Sequence, residues 1–380
     1  MKSIHKILLI LLAIAGTASL FTSCKKDENT GTPSISYVRI TRPTSSDSLL
    51  VAAGQGQLIA IVGDNLQGAV EVWFNDQQAR LTPTYISKTS LLVSVPSNIP
   101  TKITNKLKIV FKNGYVLLHD FKVQISKPIV SSMVSEFVND GDIATIRGNY
   151  FYAPITVTFK GGSVGDVVSL KDQEIQVKVP AGAQPGQIVV KTNFGETKSD
   201  FWFRDPRNHF IDSDPYEGWW NSSYVVSNPG PNDPPKISGN YIRFTKAVGS
   251  WSWNELAGGP ASAMPNHSNN IPAEAILKPE DYYLKFEVNT IKPYTGNVVK
   301  INVGLIAEDN NGYKWQPPYD TKGQWQTVVI PLTDVFAEYN PKPTVNPSGY
   351  WTRLLIGHAP GDWDADIAFD NFRVVPKVSK

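Results

Sequence analysis

The sequence predicts an all-β protein in which two small β-sandwich units are followed by a larger jelly-roll β-sandwich. Short runs of alternating apolar and polar residues recur between turn residues, and Gly and Pro number 28 each among 380 residues, which is typical of strands joined by turns. Residues 34–203 contain a weak internal repeat, whereas residues 205–380 contain strand-like runs separated by long polar loops. A chain of this length is expected to form two or three domains, each with its own core.

The N-terminal segment is predicted to be a targeting signal rather than part of the fold. Lys2 and Lys6 form a charged start and precede an apolar run over residues 7–18, which is too short to span a membrane readily. Cys24 is the only cysteine in the chain and follows this run after several small residues. This arrangement resembles a bacterial lipoprotein lipobox, which implies a signal peptide over residues 1–23, acylation of Cys24 and anchoring in a membrane. The alternative is an ordinary secretory signal with an incidental cysteine.

Residues 24–33 are predicted to form a polar, flexible tether. The charged residues at its start (25–29) resemble the surface-export signal of Bacteroidetes lipoproteins, which implies the outer face of the outer membrane. The charge of the whole chain is nearly balanced, with 36 basic and 34 acidic residues. The sequence has no stripe of basic residues, so binding to nucleic acid is not predicted.

The repeat consists of three motifs that recur in the same order. Each copy has a strand that ends in a Gly-Asn or Gly-Asp-Asn corner at Gly63 or Gly148, then a strand with an aromatic residue, then a strand that ends in Val-Pro. These motifs resemble the IPT/TIG immunoglobulin-like domain, which implies two tandem sandwiches, residues 34–126 and 127–204, that act as a spacer. The aromatic residues on their strand-like runs are expected to be core residues, namely Trp73, Phe74 and Phe159.

The C-terminal domain, residues 205–380, is predicted to be a double-sheet jelly roll. Its strand-like runs cover residues 241–244, 283–288, 299–305, 325–330, 354–356 and 365–375. The segments 323–332 and 369–374 resemble scaffold segments of carbohydrate-binding modules. Trp325 is therefore expected to be structural.

Two short segments of this domain place tryptophans in turn-like sequence. Trp219 and Trp220 lie in the first segment, and Trp251 and Trp253 lie in the second, among Gly, Ser and Asn residues. Large aromatic residues are normally buried and loops are normally polar. Flat apolar rings beside amides and carboxylates suit a sugar ring, which has a C–H face and a rim of hydroxyls. For any one of these tryptophans, a position in the core is the alternative.

The whole arrangement resembles the type B surface glycan-binding proteins of Bacteroidetes, from loci that use xyloglucan and other β-glucans. The resemblance implies a non-catalytic C-terminal domain that binds polysaccharide, beside an outer-membrane importer and surface glycanases. Carried over residue by residue, the aromatic platform maps onto Trp220, with Trp219 as the alternative, and onto Trp253, with Trp251 beside it. The chain departs from the xyloglucan protein in having two repeats and a Trp-Ser-Trp sequence, so the glycan itself stays open.

Further expectations concern the orientation of these rings and their neighbours. If residues 251–253 are extended, Trp251 and Trp253 face the same way. In an extended chain only one of Trp219 and Trp220 points outward, and we expect it to be Trp220. Trp351 is expected in the core. The remaining candidates for contact with the sugar are Asn221, Asn254, Glu255, Trp315 and Trp363.

Two other functions stay open from the sequence. One is a surface adhesin whose jelly roll binds a protein or a host glycan. The other is a lipoprotein hydrolase, which would need two carboxylates across a cleft. Its candidates are Glu255, Asp362, Asp364 and Asp366, which could instead bind hydroxyls, solvate loops or bind calcium.

No cofactor is predicted, apart from a structural calcium ion. Jelly-roll modules often contain such an ion, and Asp370 near the final strand is one candidate ligand. The sequence contains no nucleophile–His–acid grouping and no metal-spaced His pair. Catalysis is therefore not expected.

Overall fold

The computed structural model describes residues 31–42, 44, 48–219, 222–294, 296–303, 312–315, 320–357 and 360–378. The predicted signal peptide and Cys24 lie outside these residues. Contacts divide the chain into two compact units, Met1–Ile125 and Ser126–Lys380. Among the described residues, no helix combines the length and the apolar character needed to span a membrane.

The first unit is a β-sandwich. Its strands are β1 (Ser34–Ile40), β2 (Ala52–Gly54), β3 (Leu58–Asp64), β4 (Ala69–Phe74), β5 (Gln77–Ala79), β6 (Ser90–Ser94), β7 (Lys106–Phe111), β8 (Val116–Asp120) and β9 (Lys122–Gln124). One sheet has the order β1-β3-β6 and the other has the order β5-β4-β7-β8, while β2 pairs with β9 in parallel. Apolar residues of both sheets, including Ile61, Val72 and Ile109, fill the core.

Trp73 lies on the outside of this sandwich, so the prediction that it belongs to the core is wrong. Its neighbours Val72 and Phe74 are both buried, and successive residues of a strand face opposite sides of the sheet. The indole N–H of Trp73 donates to Glu71 at 2.8 Å. The Lys108 ammonium lies 4.6 Å from the ring centroid. The ring is therefore held by charged neighbours on the outer face.

The second unit begins with another β-sandwich, called repeat 2 below. Its strands are β10 (Ile129–Met133), β11 (Ile143–Asn149), β12 (Ile155–Lys160), β13 (Val164–Lys171), β14 (Glu174–Lys178), β15 (Gln184–Thr192) and β16 (Gly195–Lys198). They follow the order β10-β11-β14-β13-β12-β15-β16. Phe159 is buried in the core, as predicted. Val177 is buried and the adjacent Lys178 is exposed, which is the alternation that the sequence predicts.

The rest of the second unit is a two-sheet sandwich, called the C-terminal domain below. Its strands are β17 (His209–Ile211), β18 (Val225–Val226), β19 (Tyr241–Val248), β20 (Trp253–Gly259), β21 (Tyr282–Thr290), β22 (Val298–Val303), β23 (Tyr313–Trp315), β24 (Gln326–Pro331), β25 (Thr352–Gly357) and β26 (Trp363–Pro376). Two short helices, α1 (Ala273–Leu277) and α2 (Leu332–Ala337), lie between strands. The all-β fold class predicted from the sequence is confirmed.

The two sheets of the C-terminal domain are antiparallel. The larger sheet has the order β18-β19-β26-β21-β24, with β17 also paired to β26, and the smaller sheet has the order β20-β25-β22-β23. Their inner faces enclose one core, to which Phe286 and Phe369 of the larger sheet and Leu354 of the smaller sheet contribute. Trp325 is buried and its indole N–H donates to the Pro235 carbonyl at 2.7 Å, in agreement with a structural role.

Repeat 2 is joined to the outer face of the larger sheet by buried charges. Glu136 of repeat 2 accepts hydrogen bonds from Lys285 at 2.6 Å and from Arg373 at 2.8 Å. Arg373 also donates to Glu287 at 3.0 Å, and the Thr327 hydroxyl donates to Glu287 at 2.6 Å. The side chains of the four charged residues are at most 6% exposed. Repeat 2 and the C-terminal domain therefore share a polar interior.

Candidate functional site

The smaller sheet, together with its edge and the turn before β20, presents three of the tryptophans that the sequence singles out, namely Trp219, Trp251 and Trp253. Leu354 of β25 faces the core, so Arg353, the residue directly before it on the strand, faces outward. Arg353 forms an ion pair with Glu255 of β20. On the same side, the Lys300 ammonium of β22 lies 5.7 Å from the Trp253 ring centroid. We call this surface the open face.

Trp253 forms one aromatic end of the open face. It opens β20 opposite Gly357 of β25, and 38% of its surface is exposed. Gly357 is required here, because a Cβ at this position would lie 1.8 Å from the Ser252 carbonyl oxygen. The glycine lets the chain leading into Trp253 approach β25 closely, and this approach sets where the ring lies.

Trp251 is 60% exposed and lies in a turn just before β20. The condition under which Trp251 and Trp253 would face the same way, an extended segment over residues 251–253, is not met. Trp251 has φ of 63°, in the left-handed region that a bulky residue rarely adopts. The turn is held by the Ser252 N–H, which donates to the Gly249 carbonyl at 3.2 Å. The Ser250 N–H donates to Asp362 at 2.9 Å. The exposure of Trp251 therefore arises from this turn rather than from strand alternation.

Trp219 forms the other aromatic end, at the edge of the smaller sheet. Gly218 bridges to Gly258 of β20 in parallel, and the Trp219 N–H donates to the Gly258 carbonyl at 3.0 Å. Trp219 is 60% exposed. Its ring meets the half-buried ring of Trp351 edge to face, with centroids 5.2 Å apart and planes at 86°. Trp351, which we expected in the core, thus supports an exposed ring.

The orientation of the first tryptophan pair differs in part from the expectation. Trp219 points outward, although we expected it to be the inward-facing member of the pair. Trp220 and Asn221 lie outside the described residues, so the predictions for them are untested. The outward position of Trp219 follows from its bridge to the edge of β20.

A charged pair lies between the two aromatic ends. Arg353 donates from Nε to both carboxylate oxygens of Glu255 at 3.0 and 2.9 Å. The side chains of Arg353 and Glu255 are 12% and 20% exposed. Trp253 and the Gly258 bridge stand five residues apart along β20, on the order of 16 Å at ~3.3 Å per residue. The open face is thus long enough for an extended ligand, with hydrogen-bonding groups between flat rings.

Asn254 faces away from this surface, so its assignment to the site needs correction. It alternates with Trp253 and Glu255 along β20 and is only 7% exposed. Its side-chain oxygen accepts a hydrogen bond from Lys246 at 2.9 Å. Strand alternation therefore makes Asn254 a structural residue at the edge of the core.

Trp315 and Trp363 are core residues, and the expectation that they contact a ligand also needs correction. Trp315 is 4% exposed and packs edge to face on Phe286 at 5.3 Å. It pairs with Val299 on β22, a residue whose side chain faces the core. Trp363 is 3% exposed and meets Tyr294 at 4.9 Å. Both rings therefore face the interior of the sandwich, although the sequence suggested exposed loops.

The carboxylates that a hydrolase would use are all engaged. Glu255 pairs with Arg353, and Asp362 accepts a backbone N–H. Asp364 pairs with Lys292 at 2.6 Å, and Asp366 pairs with Arg243 at 2.9 Å. Of these carboxylates only Glu255 lies on the open face, because Asp364 and Asp366 belong to β26 of the larger sheet.

Asp370 is buried in the final strand. One of its oxygens accepts the Asn371 N–H at 2.9 Å, and burial raises the pKa of its carboxyl well above the ordinary value. Across the described ranges, no group of three or more His, Cys, Asp or Glu side chains could hold a metal ion. The calcium ion stays a prediction.

Sequence reasoning found Glu255 but missed the two cations beside it, the mostly buried Arg353 and the buried Lys300. Arg353 and Lys300 sit within apolar strands at positions that alternate with core residues. That alternation was the available signal, because a cation within an otherwise apolar strand marks the side of the sheet that faces outward.

A jelly-roll sandwich that presents tryptophans beside one sheet is the architecture of a carbohydrate-binding module. In agreement with this class, residues 203–376 match the family described as the xyloglucan-binding domain of surface glycan-binding protein B. The recognition made from the sequence is confirmed: the C-terminal domain belongs to this family, and the chain has the fold of a type B surface glycan-binding protein.

Relatives and solved structures agree with this assignment. An IPT/TIG domain-containing protein of Bacteroides ovatus is 28% identical over 162 residues, which are 40% of this chain and 33% of that relative. The match thus spans a third of the relative's length. The crystal structure of a type B surface glycan-binding protein from Prevotella bryantii covers 92% of this chain and 99% of its own, with 24% identity and a TM-score of 0.68.

A second solved structure has a more distant match of the same fold. It is a type B protein from a complex xyloglucan utilisation locus of Bacteroides uniformis. The match covers 91% of this chain and 100% of that one, with 18% identity and a TM-score of 0.51.

Proposed function

We propose that the protein captures a β-glucan, either xyloglucan or mixed-linkage glucan, on the cell surface without cleaving it. The observation that carries the proposal is the exposure of Trp219, Trp251 and Trp253 beside one sheet, in a domain that matches a xyloglucan-binding family. The C–H faces of successive sugars stack on these rings. Arg353 and Glu255 between the rings exchange hydrogen bonds with the hydroxyls.

The expected affinity is moderate. A sugar that covers about half of a tryptophan's roughly 200 Å² contributes ~2–3 kcal/mol at ~25 cal/mol/Å² of buried apolar area. Two or three such contacts, less the entropy lost when a flexible chain is ordered, correspond to a dissociation constant on the order of micromolar to millimolar. Reversible capture at this strength suits a protein that passes its glycan on.

The absence of catalysis is part of the proposal and is supported by the bonds of the candidate carboxylates. Cleavage of a glycoside needs one carboxyl group to protonate the leaving oxygen and a second to act as base or nucleophile. Glu255, Asp364 and Asp366 are each paired with a cation. Asp364 and Asp366 lie on the larger sheet, so Glu255 has neither of them as a second carboxylate across the open face.

The location and the partners are also proposals. The lipobox-like sequence around Cys24 and the charged residues after it support a lipid anchor on the outer face of the outer membrane. A glycan held there would be passed to an outer-membrane importer after surface glycanases shorten it. Substitution of Cys24 by Ala should release the protein from the membrane fraction, and protease treatment of intact cells should degrade only the anchored form.

Affinity gel electrophoresis of residues 34–380 tests the binding function. The panel contains xyloglucan, mixed-linkage β-glucan, a cellulose derivative, mannan and starch. Retardation by a β-glucan that Trp253→Ala and Trp219→Ala both weaken would support the open face, and Trp220→Ala tests the undescribed neighbour. The matched control is Trp73→Ala, the same change at a half-exposed tryptophan of the first unit. Absence of retardation by every polysaccharide would favour the adhesin.

A further inference from the structure

Glu217 lies two residues before Trp219 and is held almost entirely by one turn of the C-terminal domain. Its side chain is 9% exposed. Its carboxylate accepts the Asn266 N–H at 3.1 Å, a second bond from the Asn266 side-chain amide, and one from His267 Nδ1 at 2.9 Å. Hydrogen bonds to an ionised carboxylate are among the stronger ones in proteins. These hydrogen bonds therefore fix the segment before Trp219 to residues 266–267.

The same turn also holds the chain on both sides of Trp351. The Tyr350 N–H donates to the Ser268 carbonyl at 2.9 Å, and the Thr352 hydroxyl contacts Met264 Sδ at 3.1 Å. Gly349 approaches so closely that an added Cβ would lie 2.6 Å from Ser268 Oγ. One turn, residues 264–268, thus ties down the segments that carry both rings of the Trp219–Trp351 pair.

We infer that Glu217 and the 264–268 turn are positioning elements that fix the Trp219–Trp351 pair in its edge-to-face arrangement, and thereby set the strength of glycan binding at this end of the open face. The inference rests on the proposed function. Glu217 and His267 are too deeply buried to reach a polysaccharide, so they act through Trp219. A ring fixed before binding loses less entropy when the sugar stacks on it.

Weakening the hydrogen bonds of Glu217 to Asn266 and His267 should give the Trp219 ring more freedom to move while the ring itself stays in place. In Glu217→Gln the side chain keeps its shape but loses the charge that attracts the donors of Asn266 and His267. The Trp219 N–H bond to Gly258 remains, so the segment stays at the sheet edge with a less restricted ring. We expect binding to weaken three- to tenfold, which is less than removal of the ring in Trp219→Ala.

A double-mutant cycle distinguishes positioning from general stabilisation. Isothermal titration calorimetry of the full-length protein, purified in detergent, measures the affinity for xyloglucan and for mixed-linkage β-glucan. If Glu217 acts through Trp219, Glu217→Gln weakens binding in the native protein but causes less than a twofold change when Trp219 is already Ala. Glu274→Gln, at an exposed glutamate paired with Lys278, is the matched control and should leave affinity unchanged.

Two results would overturn the inference while leaving the proposed function standing. One is full affinity in Glu217→Gln together with a loss in Trp219→Ala. The other is an equal further loss from Glu217→Gln in both backgrounds. If neither Trp219→Ala nor Trp253→Ala changes affinity, the glycan binds elsewhere and the inference falls with the open face, whereas no measurable binding by the native protein would overturn the proposed function itself. Should Glu217→Gln not fold, His267→Gln, which leaves the Asn266 bonds in place, replaces it in the same cycle with the same expected signs.

Discussion

The two outer faces of the C-terminal domain carry similar charged pairs in opposite environments. On the open face, Arg353 pairs with Glu255, and the side chains are 12% and 20% exposed. On the larger sheet, Arg373 pairs with Glu287, and both side chains are fully buried under repeat 2. The same two residue types on neighbouring strands thus meet solvent on one face and a protein domain on the other.

The difference shows that the covering domain, rather than the side chains, decides what such a pair does. Beneath repeat 2, Glu136 supplies a second carboxylate for Arg373 and Lys285, so two negative and two positive charges neutralise one another. Buried ions are stable only when every charge has a partner. The outer face of the larger sheet is therefore occupied by its contact with repeat 2. On the open face, the rings and the partly exposed ion pair remain accessible to a ligand.

The largest effect is expected from Glu136→Ala in the junction. The change leaves Lys285 and Arg373 buried with fewer partners, and loss of one member of a buried ion pair typically lowers the free energy of unfolding by about 3–5 kcal/mol. Denaturant unfolding, monitored through the fluorescence of the C-terminal tryptophans, measures the loss. Glycan affinity of the folded variant should stay unchanged.

The matched change on the open face is Glu255→Ala. Partly exposed pairs contribute less, and we expect a loss of about 1 kcal/mol in the free energy of unfolding together with weaker glycan binding. If Glu136→Ala and Glu255→Ala lower the free energy of unfolding equally, the comparison fails. Burial under repeat 2 would then not make the charged residues there more important for stability than the pair on the open face.

The second prediction contrasts an exposed ring with a buried one. Trp253→Ala should weaken binding by about 2 kcal/mol, or roughly 30-fold, through the lost apolar contact, with little change in stability. Trp363→Ala removes a core ring and should lower the free energy of unfolding by about 3–5 kcal/mol. Calorimetric titration and thermal unfolding of both variants separate the two effects. Weaker binding by a stably folded Trp363→Ala would place that residue in the site after all.

The sequence predicted the fold better than the orientation of individual rings. Alternation of apolar and polar residues predicts which strands exist, and β26 and β21 lie where it placed them. It predicts less about Trp315 and Trp363, because a ring at a strand end faces the core or the solvent according to its cross-strand partner, and register is a property of the folded sheet. The positive φ of Trp251 likewise depends on bonds to a distant segment, through Asp362.

The third prediction is a pH dependence of the covered face. Burial, together with the negative charge of Glu136, raises the pKa of Glu287 above its ordinary value of 4.5, although Arg373 opposes the shift. Between 4.5 and the raised pKa, the folded protein then binds more protons than the unfolded chain, so the free energy of unfolding falls as the pH rises through this interval.

The difference between the native protein and Glu287→Gln isolates this titration. The native protein should lose stability relative to Glu287→Gln as the pH is raised from 4.5 to 7.5, which thermal unfolding at each pH measures. A slope of the opposite sign would mean that Arg373 holds Glu287 ionised at the lower pH, and the junction would then resemble the open face more than the burial of its residues suggests.

The smallest effect is expected at Trp251, where binding and stability should change in opposite directions. A left-handed backbone at a non-glycine residue costs on the order of 1 kcal/mol, and glycine relieves that cost while making the unfolded chain more flexible. Trp251→Gly should therefore raise the free energy of unfolding by about 0.5 kcal/mol while it weakens glycan binding.

Trp251→Ala separates the ring from the backbone, because it removes the same aromatic surface but keeps a Cβ at φ of 63°. The two variants should bind glycan equally weakly, and only Trp251→Gly should gain stability. Equal unfolding free energies would mean that the turn stores no strain. If only Trp251→Gly raises the free energy of unfolding, the turn holds an unfavourable backbone conformation that keeps the Trp251 ring exposed. The buried tryptophans Trp315 and Trp363 carry no such cost.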